Sequence, residues 1–175
     1  MKTHLFSVAL ALILVVPVAF AHGDEKHPPA AMTTGRSVAQ AEQSIAPAAA
    51  DAVAAVERFS TALATGKLDA AGAELDPAVL ILESGSVERS RDEYLGGHAK
   101  SDASFLKSAQ ITLKRRTAHA SGDIAWVGSE SQIHAMKGEQ MLMIDSTETM
   151  VLRKADQAWK IVHIHWSSRS AKAGH

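Results

Sequence analysis

From Gln110 to the C-terminus the chain is written almost entirely in period two. Ile111–Ser121, Ile124–Ala135, Gln140–Lys154 and Trp159–Arg169 each alternate in character, which predicts four long strands. The links between them, Ser121-Gly122-Asp123, Met136–Glu139 and Ala155–Gln157, are short and turn-competent. Links of that length cannot make a crossover, so consecutive strands must run antiparallel. Such a meander has a face to cover, and the cover must come from the residues before it.

Those residues carry helical spacing. Pro47 opens a helix whose apolar stripe is Val53, Val56, Phe59 and Leu63, and Gly66 is placed to end it in a left-handed cap. Leu68–Leu75 reads as a second, short helix closed by Asp76-Pro77, and Val79–Glu83 as a short apolar strand. Ser90-Arg91-Asp92-Glu93 is a capping box, with the Ser90 hydroxyl accepting from the Glu93 N–H and the Glu93 carboxylate reaching back. It opens a third helix containing Tyr94, Leu95 and His98 and extending to Phe105 and Leu106. The expected class is α+β: three N-terminal helices packed in a curved antiparallel sheet.

The N-terminus has the composition of an export signal. Lys2 is followed by an apolar run from Leu5 to Phe20, and Ala19 and Ala21 form an A-x-A cleavage site. The run is shorter than the roughly 20 residues of a comfortable membrane span. Residues 1–21 are therefore read as a signal peptide, 22–46 as a flexible leader, 47–170 as the domain and 171–175 as a tail. The expected location is periplasmic or secreted, with no membrane attachment after cleavage. The chain has no cysteine, which excludes disulfides, thiolate metal sites and thiol nucleophiles. A formal net charge of −1 gives no basic footprint for nucleic acid.

Two stretches carry a resemblance to a known family: "GDIAWVGSESQI", Gly122–Ile133, and "ADQAWKIVHIHWS", Ala155–Ser167. With the order helix, helix, short strand, helix, long sheet, the chain resembles the nuclear transport factor 2-like superfamily, and within it the SnoaL-like small bacterial domains, from about Ala50 to Arg169. The resemblance implies a cystatin-like cone with an internal pocket, and a homodimer formed through the outer sheet face. Members include cyclases, isomerases, dehydratases and non-catalytic binding domains, so the fold does not fix an activity.

Side chains alternate faces along a strand, so His163 and His165 point the same way, roughly 6.5–7 Å apart. That pair could chelate a metal with a third ligand from a neighbouring strand. Carried over by position from the similar association domain of the calcium/calmodulin-dependent kinases, the resemblance instead puts Trp166, with Val162 and Ile164, into the cavity and the two histidines outside. It also places Trp126, Gly128 and Met150 at pocket positions, with Phe59 and Tyr94 completing an apolar, aromatic pocket for a small apolar or aromatic ligand. A β-bulge in any of these strands would invert the assignment.

Three groups are candidates for acid–base chemistry. His98 lies one turn after Tyr94, on one helix face, and Glu130 and Glu148 interrupt strand-like runs. A carboxylate facing an apolar pocket would hold its proton to higher pH. The competing expectation is that Glu130 and Glu148 pair with Lys114, Arg115 or Arg116 across the sheet. His22, a new N-terminus after cleavage, could with His27 chelate copper or zinc. Met141 and Met143 could hold Cu(I), although packing is the expectation for them. The leading expectation is a ligand-binding domain without a cofactor, followed by a pocket enzyme of cyclase, isomerase or hydrolase type, and then by periplasmic copper or zinc binding.

Overall fold

The structure is a computed structural model that describes residues 41–171. The signal segment, His22, His27, the leader up to residue 40 and the tail from 172 lie outside the described residues. A strand β1 (Glu42–Ile45) and a 3-10 turn (Pro47–Ala49) lead into helix α1 (Ala50–Ala64) and helix α2 (Leu68–Glu74). Strands β2 (Leu75–Glu83) and β3 (Ser86–Glu88) follow, then helices α3 (Arg91–Gly96) and α4 (His98–Lys107). Four long strands close the domain: β4 (Gln110–Ser121), β5 (Ile124–Lys137), β6 (Gln140–Ala155) and β7 (Ala158–Ser170). The sheet order is β1-β4-β5-β6-β7-β2-β3.

The four long strands form the antiparallel meander that their short links demand. The sheet as a whole is mixed, because β1 joins β4 and β2 joins β7 in parallel. The leader is therefore shorter than expected, since Glu42–Ile45 pair with Arg115–Ala118. The first strand is longer than expected and begins at Leu75, straight after α2.

Helix α1 buries the stripe that its spacing announces: Ala52, Val53, Ala55, Val56, Phe59, Ala62 and Leu63. It ends as the glycine predicts. Gly66 has φ +72°, its N–H donates to the Leu63 carbonyl, and Lys67 N–H donates to the Ala62 carbonyl, which is a Schellman close. The capping box forms with one change. Ser90 Oγ accepts from Glu93 N–H at 3.1 Å, but the Glu93 carboxylate accepts from Arg89 N–H at 2.7 Å rather than from Ser90.

The expected single third helix is two helices. Gly97 separates them at φ −122°, ψ −100°, outside the helical range. His98 thus begins α4 instead of continuing from Tyr94. Three register shifts bend the sheet, between Leu75 and Leu80, Leu113 and Arg115, and Val151 and Leu152. Helices pack on its concave face, and Phe59, Tyr94, Ile81, Met150, Leu152, Ile161 and Ile164 form the centre of the core.

Candidate functional site

The inner face of the sheet is organised in rows, because directly opposed residues share a face. The innermost row, Ala118, Val127, Met150, Ile164 and Ile81, is fully apolar and closed over. The next row across is Arg116, Ser129, Glu148, Trp166 and Glu83. Beyond it come Leu113, Ser131, Ser146 and Ser168, and then Ile111, Ile133 and Ile144. These three outer rows line a cavity of about 330 Å³, roofed by Phe59, Leu63, Phe105 and Leu106 from α1 and α4. That volume sits at the small end of the roughly 300–1,000 Å³ typical of small-molecule sites.

Two polar corners break the apolar lining. At the first, Glu148 accepts from Trp166 Nε1–H at 2.8 Å and from Ser129 Oγ–H at 3.3 Å. Arg116 donates to Ser129 Oγ at 3.4 Å and to Glu57 at 2.9 Å. Burial pushes the Glu148 carboxyl up, opposed by the Trp166 hydrogen bond, the Arg116 charge and Ser129.

At the second corner Glu83 and Asp102 both line the cavity. The Tyr94 hydroxyl donates to Asp102 Oδ2 at 2.9 Å, and the Tyr94 ring lies against Trp166 at 6.1 Å between centroids. Phe59 stacks on the same Trp166 at 6.4 Å. Burial raises the Asp102 pKa, while the Tyr94 hydrogen bond and the nearby His98 charge hold it down. Burial also raises Glu83, and the Asp102 charge adds to it. Tyr94 is itself driven well above its ordinary range, first by burial and then by Asp102.

The sequence-derived candidates divide accordingly. Phe59, Trp166 and Glu148 line the cavity. Tyr94 stands behind the wall as the partner of Asp102. Met150 and Ile164 face inward as expected but lie in the closed row beneath the cavity. Val162 is the extra residue of the β6–β7 bulge, since Val151 pairs with His163 and Leu152 with Ile161. That bulge breaks the expected common face of the last strand: Trp159, Ile161 and Ile164 are buried and Trp166 is partly buried, with the parity change between Ile161 and Ile164.

Trp126, Gly128 and Glu130 lie on the outer face of β5, away from the cavity. The inward set is Ala125, Val127, Ser129, Ser131 and Ile133, small enough for α1 to pack against the strand. Trp126 has its room outside, where its ring lies over the space beside Gly128, 3.7 Å from where a side chain would begin. His98 also leaves the site. Half-exposed at the start of α4, it pairs with the buried Glu88 carboxylate, which raises its pKa.

His163 and His165 are on the outer face. The His163 ring donates to the Leu80 carbonyl at 2.8 Å, and His165 is exposed. Among the described residues no three His, Asp or Glu side chains are grouped to hold a metal.

Glu83, Asp102 and Arg116 were missed as site residues, and each left a trace. Ala99, Ala103 and Leu106 make the inner stripe of α4, and Asp102 falls on that same stripe. Glu83 continues the inward parity of Val79 and Ile81. Arg116 is the member of the Lys114-Arg115-Arg116 triplet that the β4 bulge turns inward.

A helix-lined cone with a closed sheet floor and one internal pocket is the form of the nuclear transport factor 2-like superfamily. The family description "SnoaL-like domain" matches residues 52–170, and the chain belongs to that family. Among solved structures the chain is similar to a Shewanella frigidimarina protein assigned as a ketosteroid isomerase, with TM-score 0.65 and 37% identity, covering 71% of this chain and 99% of that one. It has the fold of a Streptomyces avermitilis protein assigned as a dehydratase, with TM-score 0.58, 19% identity, and 70% and 95% coverage. It likewise has the fold of a Xanthomonas campestris protein assigned as a calcium/calmodulin-dependent kinase association domain, with TM-score 0.60, 20% identity, and 73% and 94% coverage. None of the proteins of curated function matches the chain.

Proposed function

We propose that the cavity binds a small, largely apolar molecule and that Asp102 exchanges a proton with it, as in an isomerase or dehydratase. The observation that carries this reading is Asp102 itself. It faces a largely apolar cavity and, among the described residues, receives a single hydrogen bond, from Tyr94 at 2.9 Å, and none from a cation. A base in that setting is stronger than one in water, and its second oxygen is free to meet a substrate C–H or O–H. Glu83 in the same wall is placed to return the proton at a second position. The name of the 37%-identical relative supports an isomerisation next to a carbonyl, in which a carbon acid gives up its proton and takes one back elsewhere.

The test is α-proton exchange. Small cyclic enones and apolar ketones in D2O, followed by NMR, should exchange faster with the protein, and Asp102→Asn should abolish the gain while leaving binding measurable through Trp166 fluorescence. Equal exchange by wild type and variant would remove Asp102 from the role. Binding without any enhanced exchange would leave a pure carrier, the reading that the apolar walls alone support.

Export and self-association belong to the same proposal. The apolar run and A-x-A site support export, and fractionation that recovered the protein in the cytoplasm with Met1 intact would refute it. A homodimer through the outer sheet face is supported by Ile124, Trp126 and Leu80, which are 48%, 41% and 38% exposed there. Only monomer in ultracentrifugation at tens of micromolar would refute that.

A further inference from the structure

We propose that the outer face of the β5–β6 hairpin tip is a site for a soft monovalent cation, Cu(I), held by the thioethers of Met136, Met141 and Met143 and the imidazole of His134. The inference does not use the cavity, which is on the other face of the sheet.

The register brings the four together. Met136 is paired with Met141, and His134 with Met143. Opposed residues of an antiparallel pair share a face with Cβ atoms about 4.5–5.5 Å apart, and next neighbours on a strand lie roughly 7 Å apart. The alternation confirms the face, since Ala135 is buried and Leu142 and Ile144 turn inward. A tight turn with Gly138 at φ +62° joins Lys137 to Gln140 and keeps the pairs aligned. Three rotatable bonds let each methionine swing its sulfur to a common point.

Packing does not account for the arrangement. Met136, Met141 and Met143 are 54%, 66% and 41% exposed, whereas Met150, the other methionine among the described residues, is fully buried. Nor are they continuous with the apolar end of the same face around Trp126. The rows of Gln132, Asp145 and Arg169, and of Glu130, Thr147 and Ser167, stand between.

The donor set chooses the ion. With no cysteine in the chain, thioethers are its only sulfur ligands, and thioether with imidazole is a soft, uncharged set. Hard divalent ions want carboxylates, and zinc wants thiolate, imidazole or carboxylate. Asp145, on this face, is turned to Arg169 at 3.4 Å. His134 is set up for ligation as well. Its Nε2 lies 3.3 Å from Gln132 Oε1, an acceptor, so the ring proton belongs on Nε2 and the Nδ1 lone pair is left for a metal.

The experiment compares the purified protein with a Met136→Leu, Met141→Leu, Met143→Leu triple variant, titrated anaerobically with Cu(I) against bicinchoninate. Leucine keeps size and apolarity, so folding and any self-association are retained while the sulfurs are lost. Wild type should withhold a Cu(I) equivalent that the triple variant yields to the chelator. X-ray absorption should show sulfur scatterers and one nitrogen, the nitrogen disappearing in His134→Leu. Equal retention by both proteins, or a copper shell without sulfur, overturns the proposal. So does a wild type that binds no Cu(I) but sediments as a dimer that Met141→Glu breaks, which would make the patch a packing surface for a second copy.

Discussion

The cavity holds carboxylates at two corners, and their neighbours give them different work. Glu148 accepts from Trp166 and Ser129, with the Arg116 cation one hydroxyl away. Among the described residues, Asp102 accepts only from Tyr94 and has no cation bonded to it. Burial pushes both upward. Glu148 is compensated from three strands, and its removal would leave the Trp166 and Ser129 donors without their acceptor. Asp102 is undercompensated, sits on a helix at the cavity wall, and keeps a free oxygen. A buried acid that is fully partnered stabilises structure, whereas one left short of partners is available for chemistry.

Removing each acid separates the two roles. Glu148→Ala should cost about 3 kcal/mol, because it leaves the Trp166 and Ser129 donors unpaired, while Glu57 still engages Arg116 at 2.9 Å. For a domain of this size that lowers Tm by roughly 10 °C. Asp102→Ala should cost only about 1 kcal/mol, one hydrogen bond, while the proton exchange disappears. Thermal melts of the two variants in one buffer decide it. Equal destabilisation would erase the distinction between the corners.

How far the sequence reveals this contrast depends on which physical signal each residue carries. The four strands were legible to within two residues, because alternation and short links are local. The α1 stripe and its Gly66 close were legible for the same reason. Parity was not. The bulge at Val162 divides β7 between two faces, and a bulge leaves no mark in the apolar pattern. On β5 the positional carry-over put Trp126 and Gly128 on the pocket side, although the small inward residues Ala125, Val127 and Ser129 are what a helix-covered concave face requires. Asp102 carries no mark of its own in the sequence beyond its place on the inner stripe of α4. Its meaning comes from Tyr94, eight residues earlier, and from the Gly97 break that swings His98 out and leaves Asp102 in.

The next effect is smaller and concerns how tightly the Asp102 corner is held. Tyr94→Phe keeps the ring on Trp166 and deletes the donor to Asp102. Because that hydrogen bond lowers the Asp102 pKa, its loss should move the acid limb of the exchange profile to higher pH. The melting temperature should fall by only a few degrees, the equivalent of about 1 kcal/mol. An unmoved acid limb would mean that Asp102 is not the titrating base.

The smallest effect tests the charge just outside that corner. His98 has its pKa raised above 6.5 by the hydrogen bond to Glu88. A group raised on folding stabilises fully below its unfolded pKa and loses that contribution as pH climbs through the folded value. His98→Ala should therefore lower Tm at pH 5.5 and have little effect at pH 9. Because the imidazole is half-exposed, solvent screening keeps the difference to a degree or two. The His98 charge also lowers Asp102 and Glu83, so the variant should shift the acid limb upward in the same direction as Tyr94→Phe, by less. A larger shift from His98→Ala than from Tyr94→Phe would reverse the ranking. The outer His98–Glu88 pair, rather than the tyrosine, would then be what tunes the acid left free in the cavity.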